Sequence, residues 1–189
     1  APSTTGLPTS GVERISIAVT AANPNVLYAL YANSADYGFL GFYKSTNGAT
    51  SFTQQSVSPN ILGWAQDGSD VGGQGWYDLT VAVSPTNENF VLVGGIRIWK
   101  STNGGTSWSI SAFNSAHADV HDVIFANGSG SVAYAGTDGG VFTNPTVTGS
   151  NGWTNKSATL QIQQEYKLSN ATTNSAIVVA GSQDNGTNK

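Results

Sequence analysis

The sequence contains no cysteine, which excludes disulfide bonds, thiolate metal sites and thiol nucleophiles. Charge is scarce as well, since 7 Lys and Arg residues stand against 11 Asp and Glu residues, for a net charge of −4. The few cations form no basic stripe that could neutralise phosphates, so we expect no nucleic-acid partner. No apolar run approaches the ~20 residues that cross a bilayer, so we expect no membrane span.

Methionine is absent too, even at position 1, so we expect Ala1 to be a processed terminus or a cut inside a longer chain. Ser, Thr and Asn together make up nearly a third of the residues, while apolar residues make up 39%. That apolar content is enough for a folded core. Small polar residues suit the turns and exposed strand faces of a β-protein. The composition therefore predicts a secreted protein, extracellular or at the cell surface.

A strand–turn–strand pattern recurs along the chain. Copies begin at Arg14, Asp78, Asp122 and Tyr166, and the first strand of each early copy alternates apolar and polar residues. Alternation with a period of two is the signature of a half-buried strand. The second strands are more continuously apolar, as expected nearer the centre of a protein. No segment has the 3.6-residue period of a helix.

A second pair of strands follows in each of the first three copies. Residues 41–52 match 98–108 as two strands joined by an Asn-Gly turn, and the third copy keeps the strands at 140–143 and 152–154 without that turn. Four short antiparallel strands in ~40–45 residues are the size of a β-propeller blade. We therefore predict an all-β fold, a partial propeller of three blades and part of a fourth within a larger ring. The predicted units are blades at 12–57, 76–114 and 120–157, an inter-blade loop at 58–75, and a partial blade at 160–189.

The two Asn-Gly turns resemble Asp-boxes, also called bacterial neuraminidase repeats, of pattern Ser-x-Asp-x-Gly-x-Thr-Trp. The matching residues are Ser45, Asn47, Gly48, Thr50 and Phe52 in the first copy, and Ser101, Asn103, Gly104, Thr106 and Trp108 in the second. Asn stands where the box usually has Asp, which keeps the hydrogen-bond acceptor and removes the charge. The wider sequence is similar to the sortilin-like and xyloglucanase-like propellers of exported bacterial proteins.

This resemblance implies a propeller fold in which the boxes are structural turns. It is much less informative about activity, because such propellers host many functions. Sialidase chemistry is not expected, since that family grips its substrate with three arginines and this chain has only Arg14 and Arg97. Peptide binding in a central tunnel, as in sortilin-like receptors, is a further possibility that the resemblance raises.

Both histidines of the chain lie in one short polar segment. In an extended strand residues 117, 119 and 121 would share one side, so a cation could be held there. The candidate metal ligands are His117, Asp119, His121 and Asp122. Imidazole and carboxylate donors suit Zn or Mn better than Ca, which makes a divalent metal ion a possible cofactor. The alternative is an inter-blade loop in which these groups bond to the backbone.

Aspartates near strand ends form a second candidate set, Asp78, Asp122, Asp138 and Asp184. Glycoside hydrolysis needs two carboxyl groups ~5–10 Å apart, one protonated and one ionised. A propeller face could supply such a pair from different blades. Turn capping is the alternative for each aspartate taken singly.

Extra residues at 33–40 and 59–75 predict loops on a rigid scaffold, where function tends to lie. Aromatic and acidic residues gather there and are candidate ligand contacts, namely Trp64, Trp76, Tyr77, Asp67 and Asp70. Exposed rings beside carboxylates are suited to stacking sugars. The alternative is that Trp76 and Tyr77 lead into a core strand and only cover the edge of the blade. The favoured function is a binding or scaffold module for a glycan, protein or peptide, joined to remaining blades or another chain. The alternative is part of a glycoside hydrolase.

Overall fold

The computed structural model describes residues 5–112, 114–149, 151–160, 165–182 and 187–188. Every regular element in these ranges is a strand. The strands are β1 (Val12–Val19), β2 (Leu27–Asn33), β3 (Phe39–Ser45), β4 (Thr53–Ser56), β5 (Thr80–Val83), β6 (Val91–Gly94), β7 (Ile98–Ser101), β8 (Ser109–Ala112), β9 (Val120–Phe125), β10 (Ala133–Thr137), β11 (Gly140–Asn144), β12 (Thr154–Asn155), β13 (Glu165–Ala171), β14 (Asn174–Ser182) and β15 (Thr187–Asn188).

The strands form antiparallel sheets in which each strand pairs with the next one along the chain. Three sheets have four strands, and we name them blade A (β1–β4), blade B (β5–β8) and blade C (β9–β12). A fourth sheet contains β13, β14 and β15. Strand β5 contacts both β1 and β9, so the first strands of the three blades lie side by side at the centre. The predicted fold class, an all-β partial propeller, is confirmed.

Two apolar clusters hold the blades together. One joins blades A and B and includes Tyr28, Leu30 and Phe42 of blade A together with Val81 and Val93 of blade B. The other joins blades B and C through side chains that include those of Leu92, Ile98, Val123 and Phe142. Because a single four-stranded sheet leaves two apolar faces exposed, the blades are stabilised by stacking on their neighbours.

The repeat register of the third blade differs from the one that its sequence suggests. Thr80 pairs with Gly94, and Asp122 pairs with Gly136 at the same level of the second strand. Asp122 is therefore the counterpart of Thr80, two residues away from the expected match with Asp78. A shift of two residues leaves every side chain on its original face, so the alternation pattern alone could not reveal it.

The two box turns have the same hydrogen-bond network. In the second box the Ser101 hydroxyl donates to Asn103 Oδ1 (2.9 Å). Asn103 Oδ1 also accepts from the Ser107 N–H (3.0 Å). Thr106 closes the turn by donating from Oγ1 to the Asn103 carbonyl (3.1 Å). Gly104 has a φ of 71°, a left-handed conformation that glycine adopts without strain.

The aromatic residue after each turn packs towards a neighbouring part of the molecule. Trp108 of blade B lies edge-on to Phe42 of blade A (centroids 4.9 Å apart), and its indole N–H donates to Ser56 Oγ (2.9 Å). Phe52 packs on the opposite side of blade A against a small cluster around Tyr31 and Tyr43. The second box thus fixes blade B to blade A as well as closing its own hairpin.

Replacing the box asparagine tests this role. We expect Asn103→Ala to lower the free energy of unfolding by about 1–2 kcal/mol, because the Ser107 N–H and the Ser101 hydroxyl lose their acceptor. Urea unfolding followed by fluorescence measures the change. Asn103→Asp, which keeps the acceptor, is the matched control and should stay within about 0.5 kcal/mol of the parent. Equal losses in the two variants would contradict the acceptor role.

Across the described ranges, no helix is long and apolar enough to cross a membrane.

Candidate ligand-binding site

Two loops of blade A pack against each other near the N-terminal ends of the central strands, which are the first strands of the blades. The first connects β2 to β3, and the second is the segment 58–75, which joins blade A to blade B. The Gly73 N–H donates to the Asp36 carbonyl (3.0 Å) and the Gly75 N–H to the Tyr37 carbonyl (2.9 Å). A Cβ on Gly73 would lie 2.9 Å from the Tyr37 carbonyl oxygen, so this close approach requires glycine.

The segment 58–75 is braced from within. Asn60 donates from Nδ2 to the carbonyls of Asp70 (3.2 Å) and Gly72 (2.7 Å). Asp70 Oδ2 accepts from the backbone N–H groups of Trp64 (2.6 Å) and Ala65 (3.1 Å). Next to Asn60, the side chains of Ile61 and Leu62 are fully buried in the core between blades A and B. These contacts give the loop a fixed conformation.

The two acidic ligand candidates of this loop both make local bonds. Asp67 Oδ1 accepts from the Ser69 N–H (3.0 Å), and hydrogen bonds from Ser69 lower the pKa of the Asp67 carboxyl. Asp70 accepts from the backbone N–H groups of Trp64 and Ala65. Asp67 is exposed, whereas Asp70 is partly buried. Their first role in the structure is therefore to shape the loop that carries Trp64.

Exposed aromatic rings surround this braced loop. Trp76 is 53% exposed and Trp64 is 50% exposed, although both are among the largest apolar side chains. Tyr37 from the first loop lies 6.5 Å from Trp76, centroid to centroid. Trp76 in turn lies 5.4 Å from Tyr77. The rings of Tyr37, Trp76 and Tyr77 thus lie next to one another, and Trp64 is a further exposed ring on the same pair of loops.

The turn that carries Trp76 is tied to the blades on both sides. Arg14 of blade A donates from Nη1 to the Tyr77 carbonyl (2.7 Å) and, more weakly, to that of Trp76 (3.3 Å). Gln74 donates from Nε2 to Asp119 Oδ1 (2.8 Å), which links the turn to the start of blade C. The turn is therefore positioned by contacts that exist only in the assembled fold.

Asp78 lies directly beneath this turn and is only 1% exposed. Neither of its buried carboxylate oxygens has a hydrogen-bond donor group among the described residues. The pKa of Asp78 is raised to about 8, and burial is the largest cause. The negative charge and the carboxyl contact of Asp119 add to the rise, and Asp138 has a smaller effect. At neutral pH the Asp78 carboxyl is therefore protonated and can share its proton with Asp119.

The two histidines and their neighbouring aspartates point to separate partners. His117 Nδ1 lies 3.0 Å from the Ala118 carbonyl oxygen. His121 Nε2 lies 2.6 Å from Asp138 Oδ1, and its ring meets Tyr77 edge-on at 4.9 Å. Asp119 accepts from Gln74, and Asp122 accepts from the Thr80 hydroxyl at 3.4 Å. Within the described residues no three His, Asp or Glu side chains are arranged to hold a metal ion.

The aspartates suggested for paired-carboxyl chemistry also differ in their surroundings. Asp78 is buried, the Asp138 side chain is 8% exposed and contacts His121, and Asp122 is exposed on β9. The Tyr77 hydroxyl also donates to Asp138 Oδ1 (3.4 Å). Asp184 lies outside the described residues. The three described aspartates thus do not line one open cleft.

Sequence reasoning overlooked two residues that shape the site. Tyr37 lies within the extra residues 33–40, and its φ of 61° in a tight loop has no local sequence signal. Gln74 contacts blade C across 45 residues of chain, which no motif announces. In the sequence, the insertion of about eight residues at 33–40 of blade A is the feature that points to this site.

Solved β-propellers are similar to this fold. A GH74 enzyme from Niastella koreensis aligns with a TM-score of 0.53 and 20% identity, over 92% of this chain and 26% of that protein. The GH74 xyloglucanase from Xanthomonas campestris gives a TM-score of 0.56 and 15% identity, over 92% and 27%. YCF48 from Cyanidioschyzon merolae gives 0.51 and 15%, over 92% and 51%.

These likenesses establish the class of protein, a β-propeller, and at such low identities they establish the fold alone. The chain spans about a quarter of the two GH74 enzymes and half of YCF48. A comparison with protein-family models and with curated protein sequences found no match.

Proposed function

We propose that this chain is the glycan-binding part of a secreted or cell-surface propeller of the Asp-box type. The observation that carries the proposal is the set of exposed rings, Trp64, Tyr37 and Trp76, on two packed loops that are braced by hydrogen bonds. Exposing large aromatic side chains on a rigid support is costly unless a ligand covers them. Rigid loops also reduce the entropy lost on binding.

The chemistry around the rings suits a sugar. An aromatic face covers the C–H surface of a pyranose, while neighbouring amides and carboxylates bond to its hydroxyl groups. Gln74 and Asp119, which bond to each other beside the Trp76 turn, are side chains of this chemical kind. A protein or peptide ligand is the alternative occupant, and its binding would use the same rings.

Burial favours binding over hydrolysis. A glycoside hydrolase needs a proton donor and a second carboxylate that both reach the scissile bond. The protonated Asp78 is buried beneath the Trp76 turn, and the Asp138 side chain is almost fully covered. Substrate would contact neither carboxyl group in this conformation, so the described residues support a binding site more than an active site.

The site is tested by removing one ring. Affinity electrophoresis through gels that contain hydroxyethyl cellulose, galactomannan or xylan should retard the parent chain in at least one polymer. Trp76→Ala should weaken that binding about tenfold, because the exposed indole supplies the stacking surface.

Tyr134→Ala is the matched control, since Tyr134 is an exposed aromatic residue on β10 and outside the two loops. Its affinity should equal that of the parent. The proposal fails if none of the polymers retards the parent chain, or if Trp76→Ala and the control bind equally well.

A further inference from the structure

Asparagine is followed by glycine at five places in the chain, which begin at Asn47, Asn103, Asn127, Asn151 and Asn185. In such a pair the glycine backbone nitrogen can attack the asparagine side-chain carbonyl, because glycine has no side chain to hinder the approach. The first two pairs belong to the box turns, and the last lies outside the described residues. In the pair at Asn151 the glycine makes an interaction of its own and leads into the buried Trp153. Hydrogen bonding therefore separates protected pairs from reactive ones.

Both box turns hold the two groups that would react. In the second box Asn103 Oδ1 accepts from Ser101 and Ser107, and Asn103 Nδ2 donates to the Ser107 hydroxyl oxygen (2.9 Å). The attacking nitrogen is also engaged, because the Gly104 N–H donates to the Asn89 carbonyl (2.9 Å). The first box has the corresponding bonds. Ring closure at either box would have to break these bonds first.

The turn between β9 and β10 leaves the same groups free. The Ser129 N–H donates to the Ala126 carbonyl (2.9 Å), so Asn127 and Gly128 are the central residues of a β-turn. Both are exposed, and a Cβ on Gly128 would have no described atom within 4 Å. Among the described residues, neither the Asn127 side chain nor the Gly128 N–H has a hydrogen-bond partner. Water and base therefore reach both groups.

We propose that Asn127 is a site of spontaneous deamidation in the folded protein, whereas the asparagines of the two boxes are protected. The Gly128 nitrogen bonds to the side-chain carbonyl carbon of Asn127, and the bond from that carbon to the amide nitrogen breaks. The amide leaves as ammonia, which carries away the proton of the Gly128 N–H. Water then opens the succinimide ring at one of its two carbonyls. The product is aspartate, or isoaspartate where the backbone now runs through the side-chain carbon.

The reaction changes the charge of a defined part of the surface. Asn127 and Gly128 line a cavity of about 390 Å³ beside the central strands, together with residues that include Ile17, Val83 and Ile124. Deamidation adds a negative charge to the wall of this cavity, and isoaspartate also lengthens the backbone of the turn. The inference concerns the β9–β10 turn and is independent of the ligand site.

Peptide mapping of the folded 189-residue chain after incubation at pH 8 tests the proposal. Chymotryptic cleavage after Trp108 and Phe125 places Asn103 and Asn127 in different peptides. Mass spectrometry should find Asn127 deamidated at least about tenfold faster than Asn47 and Asn103, since each box bond that must break adds to the barrier. Equal rates at the three positions, or an unmodified Asn127, would overturn the proposal.

Unfolding separates the effect of structure from that of sequence. In concentrated guanidinium chloride the box bonds are lost, so the three asparagines should react at similar rates. Box asparagines that stay slow in the unfolded chain would contradict protection by hydrogen bonds. Asn127→Gln is the matched variant, because its longer side chain closes a larger ring much more slowly, and its Tm should stay within about 2 °C of the parent. If this variant acquires as much isoaspartate as the parent, the modified position lies elsewhere and the proposal fails.

Discussion

Asp78→Asn is expected to stabilise the protein by several kcal/mol at pH 8 and to have little effect at pH 4. The pKa of Asp78 is raised to about 8 in the folded state from an ordinary value of 3.8. Between these two values the unfolded chain ionises Asp78 while the folded protein keeps it protonated. The parent therefore loses about 1.4 kcal/mol of stability for each pH unit over this range.

The pH profile of unfolding measures the effect directly. Urea midpoints taken from pH 4 to pH 9 should fall for the parent as the pH rises and should level off above pH 8. In Asp78→Asn the unfolding free energy should fall less steeply with pH, by the amount that corresponds to one proton released on unfolding. The asparagine side chain is neutral at every pH and can still donate to Asp119. Asp122→Asn, which removes an exposed carboxyl on β9, serves as the control substitution.

Parallel profiles for the parent and Asp78→Asn would mean that Asp78 is ionised in the folded protein. In that case its carboxylate would need a compensating donor or cation that the described residues do not supply. The result would also remove the proton shared with Asp119 beneath the Trp76 turn.

Trp153→Ala is expected to destabilise the protein by about 3–5 kcal/mol. Trp153 is buried in the core between blades B and C, and its indole N–H donates to Ser111 Oγ of blade B (3.3 Å). Truncation removes a large apolar side chain, leaves a cavity, and takes away the donor that bonds to the buried Ser111 hydroxyl. Thermal unfolding should show a fall in Tm of about 10 °C.

Trp153→Phe separates the two contributions. It keeps most of the apolar volume and loses only the hydrogen bond to Ser111, so we expect a loss of about 1–2 kcal/mol. A loss below 1 kcal/mol in Trp153→Ala would show that blade C is not fixed to blade B through this residue.

Most of the fold could be predicted from the sequence, because apolar and polar residues alternate along the strands with a period of two and the repeats share a recognisable Asn-Gly turn motif. Ser45, Asn47 and Thr50 bond to one another within a few residues, so a local pattern is sufficient to specify the turn. Register in the third blade was harder to predict. That copy has no box, and a two-residue shift preserves the alternation of side chains.

The site was only partly predictable, for a different reason. Composition indicated that Trp64, Trp76 and Tyr77 lie in a polar loop, yet it could not separate a carboxyl that faces solvent from one that is buried. Asp78 and Asp122 both lie near the start of a central strand, but only Asp78 is covered by its own turn and by Asp119. Burial and charge spacing are properties of the assembled blades, so no local pattern reports them.

The sequence by itself determined the strands, the hairpin turns and the repetition of blades, because each depends on residues close together in the chain. The tertiary structure alone decided which aromatic side chains are exposed and which carboxyl keeps its proton. These features arise where segments about 40 to 65 residues apart meet, as Arg14 meets Tyr77 and Gln74 meets Asp119. Contacts of that range are set by how the blades stack, which depends on the total apolar surface that each blade buries against the next.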